Sequence, residues 1–92
     1  MLPKLFDMII DRKVNMPPGS YTTSLFSSGE DEILKKVGEE AMEVILAAKG
    51  QGKERLIEET ADLFYHALVM LANYDLTLAD VEAELEKRHT PM

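Results

Sequence analysis

No cysteine occurs anywhere in the 92 residues, so neither a disulfide nor a thiolate-held metal is open to this chain. Any bound metal would need oxygen or imidazole ligands, which favours hard ions such as Mg²⁺, with Mn²⁺ as the alternative. An excess of basic residues is missing as well, the formal net charge being −7. A general nucleic-acid binder needs a basic face to displace counterions, so that class is set aside. The acidic balance suits a protein that collects divalent cations, and equally one that is simply kept soluble by its charge. No stretch approaches the ~20 apolar residues needed to cross a bilayer. The opening MLPKLFDMIIDRK also lacks the uncharged apolar run and small-residue cleavage site of a signal peptide. The expectation is a cytoplasmic protein with neither a membrane nor a nucleic-acid partner.

What is present reads as helix. The apolar share of 46% and charged share of 29% are those of an ordinary globular protein, and the length predicts a single domain over 1–92. Folding at this size buries only a little over ~60% of the extended chain's surface, so a core completed by homo-oligomerisation, most simply a homodimer, is expected. The fold class is all-α, an antiparallel helical bundle of about four helices per chain. Pro3 suits the first turn of an opening helix with Leu5, Met8 and Ile9 on its apolar stripe, ending before Pro17-Pro18-Gly19. A second helix is predicted from near Ser28, with Glu30, Asp31 and Glu32 in its first turn and a buried stripe of Ile33, Val37, Ala41, Val44, Ile45 and Ala48. Gly50-Gln51-Gly52 turns the chain into a third, from about Lys53, with Ile57, Thr60, Ala61, Phe64, Leu68 and Leu71 inward. A fourth opens at Thr77, with Asp80 three residues on as an acidic capping box. Gly38, in mid-helix at a cost of ~1 kcal/mol, points to a close helix–helix approach.

Between the first two predicted helices runs PPGSYTTSLFSSG, dense in hydroxyls yet carrying Tyr21, Leu25 and Phe26. A loop of this length in so small a domain is usually functional. The plainer alternative is a loop pinned by Leu25 and Phe26 whose hydroxyls cap the neighbouring helices.

The acidic residues come in helical pairs. Glu40 and Glu43 lie one turn apart, as do Glu59 and Asp62, with Lys36 one turn before Glu40 and His66 one turn beyond Asp62. At 100° per residue, Glu40 falls about 80° and Glu43 about 140° from the centre of the apolar stripe, with Lys36 between them. The short turn makes the two helices antiparallel neighbours, with Glu43 and Glu59 at similar depth. If both flanks face one groove, four carboxylates share roughly 6–8 Å, and each close pair repels by about 2–3 kcal/mol. Such a cluster needs a cation. If the flanks face water, they are ordinary solvated helix faces and need none.

The runs SYTTSLF (20–26), KVGEEAMEV (36–44) and EETADLFYH (58–66) resemble the phosphoribosyl-ATP pyrophosphatase family of histidine biosynthesis. That family belongs to the all-α nucleotide pyrophosphohydrolases, whose signature is EExxE followed by ExxD. Glu39, Glu40 and Glu43 match the first half, Glu59 and Asp62 the second. The likeness covers nearly the whole chain, to Leu85 and Arg88, and departs from the family's Ser-Tyr-Thr-Ser run only in the doubled Thr22-Thr23, which leaves two candidates for the threonine's role. It implies hydrolysis of phosphoribosyl-ATP to phosphoribosyl-AMP and pyrophosphate, the second step of the pathway. It implies catalytic Glu39, Glu40, Glu43, Glu59 and Asp62, with Mg²⁺ on Glu40, Glu43, Glu59 and Asp62, and Glu39 binding a second ion or orienting the water. Substrate contacts would come from Ser20, Tyr21, Thr22, Ser24, Lys36, Lys49 and His66, with Lys53 and Arg55 as further phosphate donors. Many organisms fuse this activity to a cyclohydrolase whose zinc site uses cysteines; a chain with none resembles the free-standing form. Two other readings stay open. One is a house-cleaning hydrolase of free or damaged nucleoside triphosphates with the same carboxylates; the other is a non-catalytic helical interaction module.

Overall fold

The computed structural model describes residues 1–90. Five helices follow one another: α1 (Leu2–Asn15), α2 (Tyr21–Ser28), α3 (Glu30–Gly50), α4 (Lys53–Asn73) and α5 (Leu78–His89). There is no strand among the described residues. α1 carries Pro3 in its first turn and stops at Met16, whose left-handed backbone (φ 49) lets its N–H bond the Arg12 carbonyl at 3.0 Å.

The stretch expected to be a long loop holds α2, so the helices number five instead of about four. Ser20 stands in extended backbone and its Oγ accepts the Thr23 N–H at 3.2 Å, an N-cap that starts the helix at once after Pro17-Pro18-Gly19. Serine and threonine are weak helix formers, but Leu25 is buried among Phe6, Ile9 and Ile33, and that packing overrides local propensity. Gly29, at φ 96, turns the chain directly into α3, which therefore starts without a side-chain cap.

α3 and α4 form the antiparallel hairpin, joined at Gln51 and at Gly52 with φ 90. The core, Phe6, Ile9, Leu25, Ile33, Leu68, Val69 and Ala72, clamps α1 and α2 onto the end of the hairpin remote from its turn. Lys13 adds a polar tie, its Nζ donating to the Ala72 carbonyl at 2.6 Å and to Asp75 at 2.7 Å. α5 opens with the expected capping box: Thr77 Oγ1 accepts the Asp80 N–H at 3.1 Å, and Asp80 accepts the Thr77 N–H at 2.9 Å. Beyond Leu78 its residues are exposed. No helix among the described residues is long and apolar enough to cross a membrane.

The two long helices are rotated from the expected orientation. Ala47 is buried on α3, whereas Ile45 and Ala48 are exposed. On α4, Glu59, His66, Val69 and Ala72 turn inward, while Ile57 (69% exposed) and Phe64 (51%) face outward. The flank of α3 bearing Glu40 and Ala47 therefore meets α4. Of the apolar stripe read from periodicity, Ile33 and Leu68 are buried and Val37, Ala41, Val44, Thr60 and Leu71 half-buried, while Ile45, Ala48, Ile57, Ala61 and Phe64 are left uncovered within the chain. Gly38 lies on that open side, where an added Cβ would meet nothing within 4 Å, so no helix among the described residues makes the expected close approach.

Candidate active site

Because the turn is short and α3 presents the flank that carries its acids, carboxylates from both arms of the hairpin converge. One oxygen each from Glu40, Glu59 and Asp62 lies within 4.8 Å of the others. They line an open pocket of about 460 Å³ together with Lys36, Glu39 and Glu43. Glu43 thus borders the cavity but stands outside the group of three. Glu39 is turned along the helix to Lys36, Nζ to Oε1 at 3.8 Å. The three oxygens form an acceptor-only set of the kind that holds a hard divalent cation.

Their environments differ. Glu59 is buried, and Arg55, one turn earlier on α4, bonds its carboxylate while also reaching Glu58 at 3.3 Å. Asp62 is exposed. Glu40 is half-buried, and its carboxyl is held above the ordinary value of 4.5. Loss of hydration is the largest cause, followed by a hydrogen bond to Glu59 and the charge of Asp62, with His66 acting in the opposite direction. A folded-state pKa raised in this way means that Glu40 favours folding while protonated. That contribution is lost as pH rises through the folded value. In chelator-treated buffer, Glu40→Gln, which cannot ionise, should therefore gain melting temperature relative to wild type as pH climbs from 4.5 toward neutrality. A difference that stays flat across that range would contradict the assignment.

Beside the acids, α2 is fastened to α4. His66 is buried; its Nδ1 lies 2.7 Å from the Asp62 carbonyl and its Nε2 3.0 Å from the Tyr21 hydroxyl. A carbonyl only accepts, so Nδ1 carries a proton, and in the neutral ring Nε2 accepts from Tyr21. Thr22 Oγ1 bonds the Tyr65 hydroxyl, and the Tyr21 and Tyr65 rings stack at 6.2 Å. Burial pushes the Tyr65 phenol up. Thr22 is thus the threonine engaged across helices, while the Thr23 hydroxyl is buried without a partner. Ser20 serves as the cap of α2, and Ser24 donates to the Tyr21 carbonyl at 2.5 Å. Lys49 sits at the turn end of the hairpin, bordering a separate hollow with Lys53. Two residues make contacts that the sequence did not reveal. Arg55, expected only as a further phosphate donor, pairs at i, i+4 with the carboxylate of Glu59. Tyr65 lies one helical turn past Asp62 and binds α2.

Residues 2–89 match the protein family described as Phosphoribosyl-ATP pyrophosphohydrolase. The chain is 53% identical over 88 residues to the phosphoribosyl-ATP pyrophosphatase of Geobacter sulfurreducens, covering 96% of this chain and 82% of that one. It is 55% identical over 84 residues to the protein of the same name from Pelotomaculum thermopropionicum, covering 91% and 86%. A histidine biosynthesis bifunctional protein of Halalkalibacterium halodurans is 54% identical over 84 residues, covering 91% of this chain and 40% of that longer one.

Proposed function

Because this chain belongs to the phosphoribosyl-ATP pyrophosphohydrolase family, we propose that it hydrolyses phosphoribosyl-ATP to phosphoribosyl-AMP and pyrophosphate in histidine biosynthesis, using Mg²⁺ at the acidic face of the α3–α4 hairpin. The observation that carries the metal assignment is the convergence of the Glu40, Glu59 and Asp62 oxygens within 4.8 Å. An all-carboxylate donor set with room for water and phosphate oxygens fits Mg²⁺, and Mn²⁺ as its substitute. When bound, the ion supplies counter-charge for the leaving pyrophosphate and an acidified water.

The remaining chemistry belongs to the side chains. Glu40, Glu59 and Asp62 hold the ion, and Glu43 completes the set from the same pocket wall. Glu39 orients the attacking water, and Lys36 beside it faces the polyphosphate. Ser20 accepts the Thr23 N–H and keeps its own proton to donate, which suits a phosphate oxygen. Ser24 has already donated its proton and offers only lone pairs, which suits a ribose hydroxyl. Half-exposed Tyr21 packs on the base or sugar, and His66 fixes Tyr21 against α4. Thr22 contributes through its bond to Tyr65, and Lys49 meets the far end of the substrate.

The same reading includes a homodimer in the cytoplasm. Leu34 and Ile45 of α3 and Ile57 and Phe64 of α4 are exposed on the hairpin. A hollow of about 530 Å³ lined by Phe64, Leu68, Leu71, Val81 and Leu85 lies between α4 and α5. Uncovered apolar area on this scale is what a second copy would bury. The assay that tests the activity is pyrophosphate release from phosphoribosyl-ATP, with and without Mg²⁺, beside dCTP, dUTP and dTTP. Turnover of phosphoribosyl-ATP alone, lost on chelation, is expected. Preferred cleavage of the deoxynucleotides would favour the house-cleaning reading, and release from none would favour a non-catalytic module.

A further inference from the structure

Of the two glutamates that Arg55 touches, Glu58 is exposed, its side chain 61% accessible, whereas that of Glu59 is 8% accessible. A carboxylate so far removed from water is strongly unfavourable when unpaired. Arg55 supplies the pairing. Among the described residues no other cation makes an ion pair with Glu40, Glu59 or Asp62, since Lys36 is engaged with Glu39. Yet Glu59 is also one of the three carboxylates whose oxygens come together over the pocket. A guanidinium keeps its proton under all ordinary conditions, so it cannot neutralise itself to make way for a second positive charge. It has to move. The side chain is 46% exposed on a long stem, and Glu58 stands within reach as an alternative seat.

We propose that Arg55 is an exchangeable counter-ion of Glu59, which neutralises the buried carboxylate until a divalent cation takes it over and then shifts to Glu58 and solvent. This rests on the metal assignment above. It makes Arg55 a positioning residue that sets the affinity of the site for its ion while contributing no ligand. Loading the site then requires an intramolecular ion pair to break, and unloading restores the pair without leaving Glu59 bare.

The test is calorimetric titration of the full-length chain with Mn²⁺ and Mg²⁺, together with melting curves at zero and saturating ion. Arg55→Gln removes the competitor, and the ion's Kd should fall by about five- to twentyfold. Lys53→Gln removes the same unit charge from the same end of α4, without touching Glu59, and should change Kd by less than about twofold. Without ion, Arg55→Gln should melt below wild type, because Glu59 loses its partner; saturating ion should erase that gap. Arg55→Lys, with the charge kept and the fork lost, should tighten binding less but in the same direction, and carries the test if Arg55→Gln does not fold. A wild-type chain that binds neither ion would overturn the metal assignment itself. A wild-type chain that binds while Arg55→Gln matches Lys53→Gln, or weakens, would overturn the exchange and leave the metal site standing.

Discussion

Asp62→Ala should lower Mg²⁺-dependent pyrophosphate release by on the order of a hundred- to a thousandfold, with the helical circular-dichroism signal unchanged. Asp62 is the cleanest of the three converging acids to remove because its side chain is exposed and makes no hydrogen bond that holds helices together. What it does structurally it does through its backbone carbonyl, which receives the His66 Nδ1 proton and survives any substitution. Loss of the carboxylate leaves Glu40 and Glu59 facing the pocket with one acid fewer. Loss of hydration is the main reason the Glu40 pKa is raised, but the Asp62 charge adds to it, and with that charge gone the metal-free protein should melt slightly higher. Asp62→Asn keeps the shape and removes the charge, and it should fall nearly as far in rate. Glu59→Ala should be equally inactive but harder to interpret, because it leaves Arg55 without its closest partner. A rate within a factor of about three of wild type for Asp62→Ala would remove that residue from the metal site.

The hairpin and its acids could be read from sequence because short-range geometry fixes them. Residues one turn apart on a helix are neighbours whatever the rest of the chain does. A turn as short as Gly50-Gln51-Gly52 also leaves two helices no choice but to lie side by side. The capping box at Thr77 and Asp80 is likewise a local matter. α2 was not readable, since its hydroxyl-rich residues favour a loop and only the burial of Leu25 by α1 and α3 makes the helix worthwhile. The rotation of α3 and α4 was hidden for another reason. Each helix has more apolar surface than one face can carry, and periodicity finds the centre of that surface without saying which part is covered by the same chain. Ile45, Ile57 and Phe64 belong to the periodic stripe and are exposed, while Ala47 and Glu59, off its centre, are buried. Amphipathic patterning therefore marks where apolar surface is concentrated, and the intrachain core covers only a share of it.

That unmet demand underlies the other large expected effect. Phe64→Glu should convert the proposed homodimer into a monomer in sedimentation or light scattering and lower the melting temperature by ten degrees or more, on the order of 2–3 kcal/mol. Phe64 is half exposed in the single chain and is not among the core residues, so a glutamate there costs the isolated fold little: its carboxylate reaches water. In a dimer that covers the hollow beside Leu68 and Leu85, the same carboxylate would be buried unpaired from both copies at once, and the symmetry of the interface doubles the penalty. The midpoint should also cease to depend on protein concentration, as it must for wild type if folding and association are coupled. Ile9→Ala, in the intrachain core, makes the useful contrast: it should lower stability without changing the subunit count. Should Phe64→Glu sediment as wild type does and melt within a degree or two of it, the exposed face of α4 would not be the surface through which copies of this chain associate.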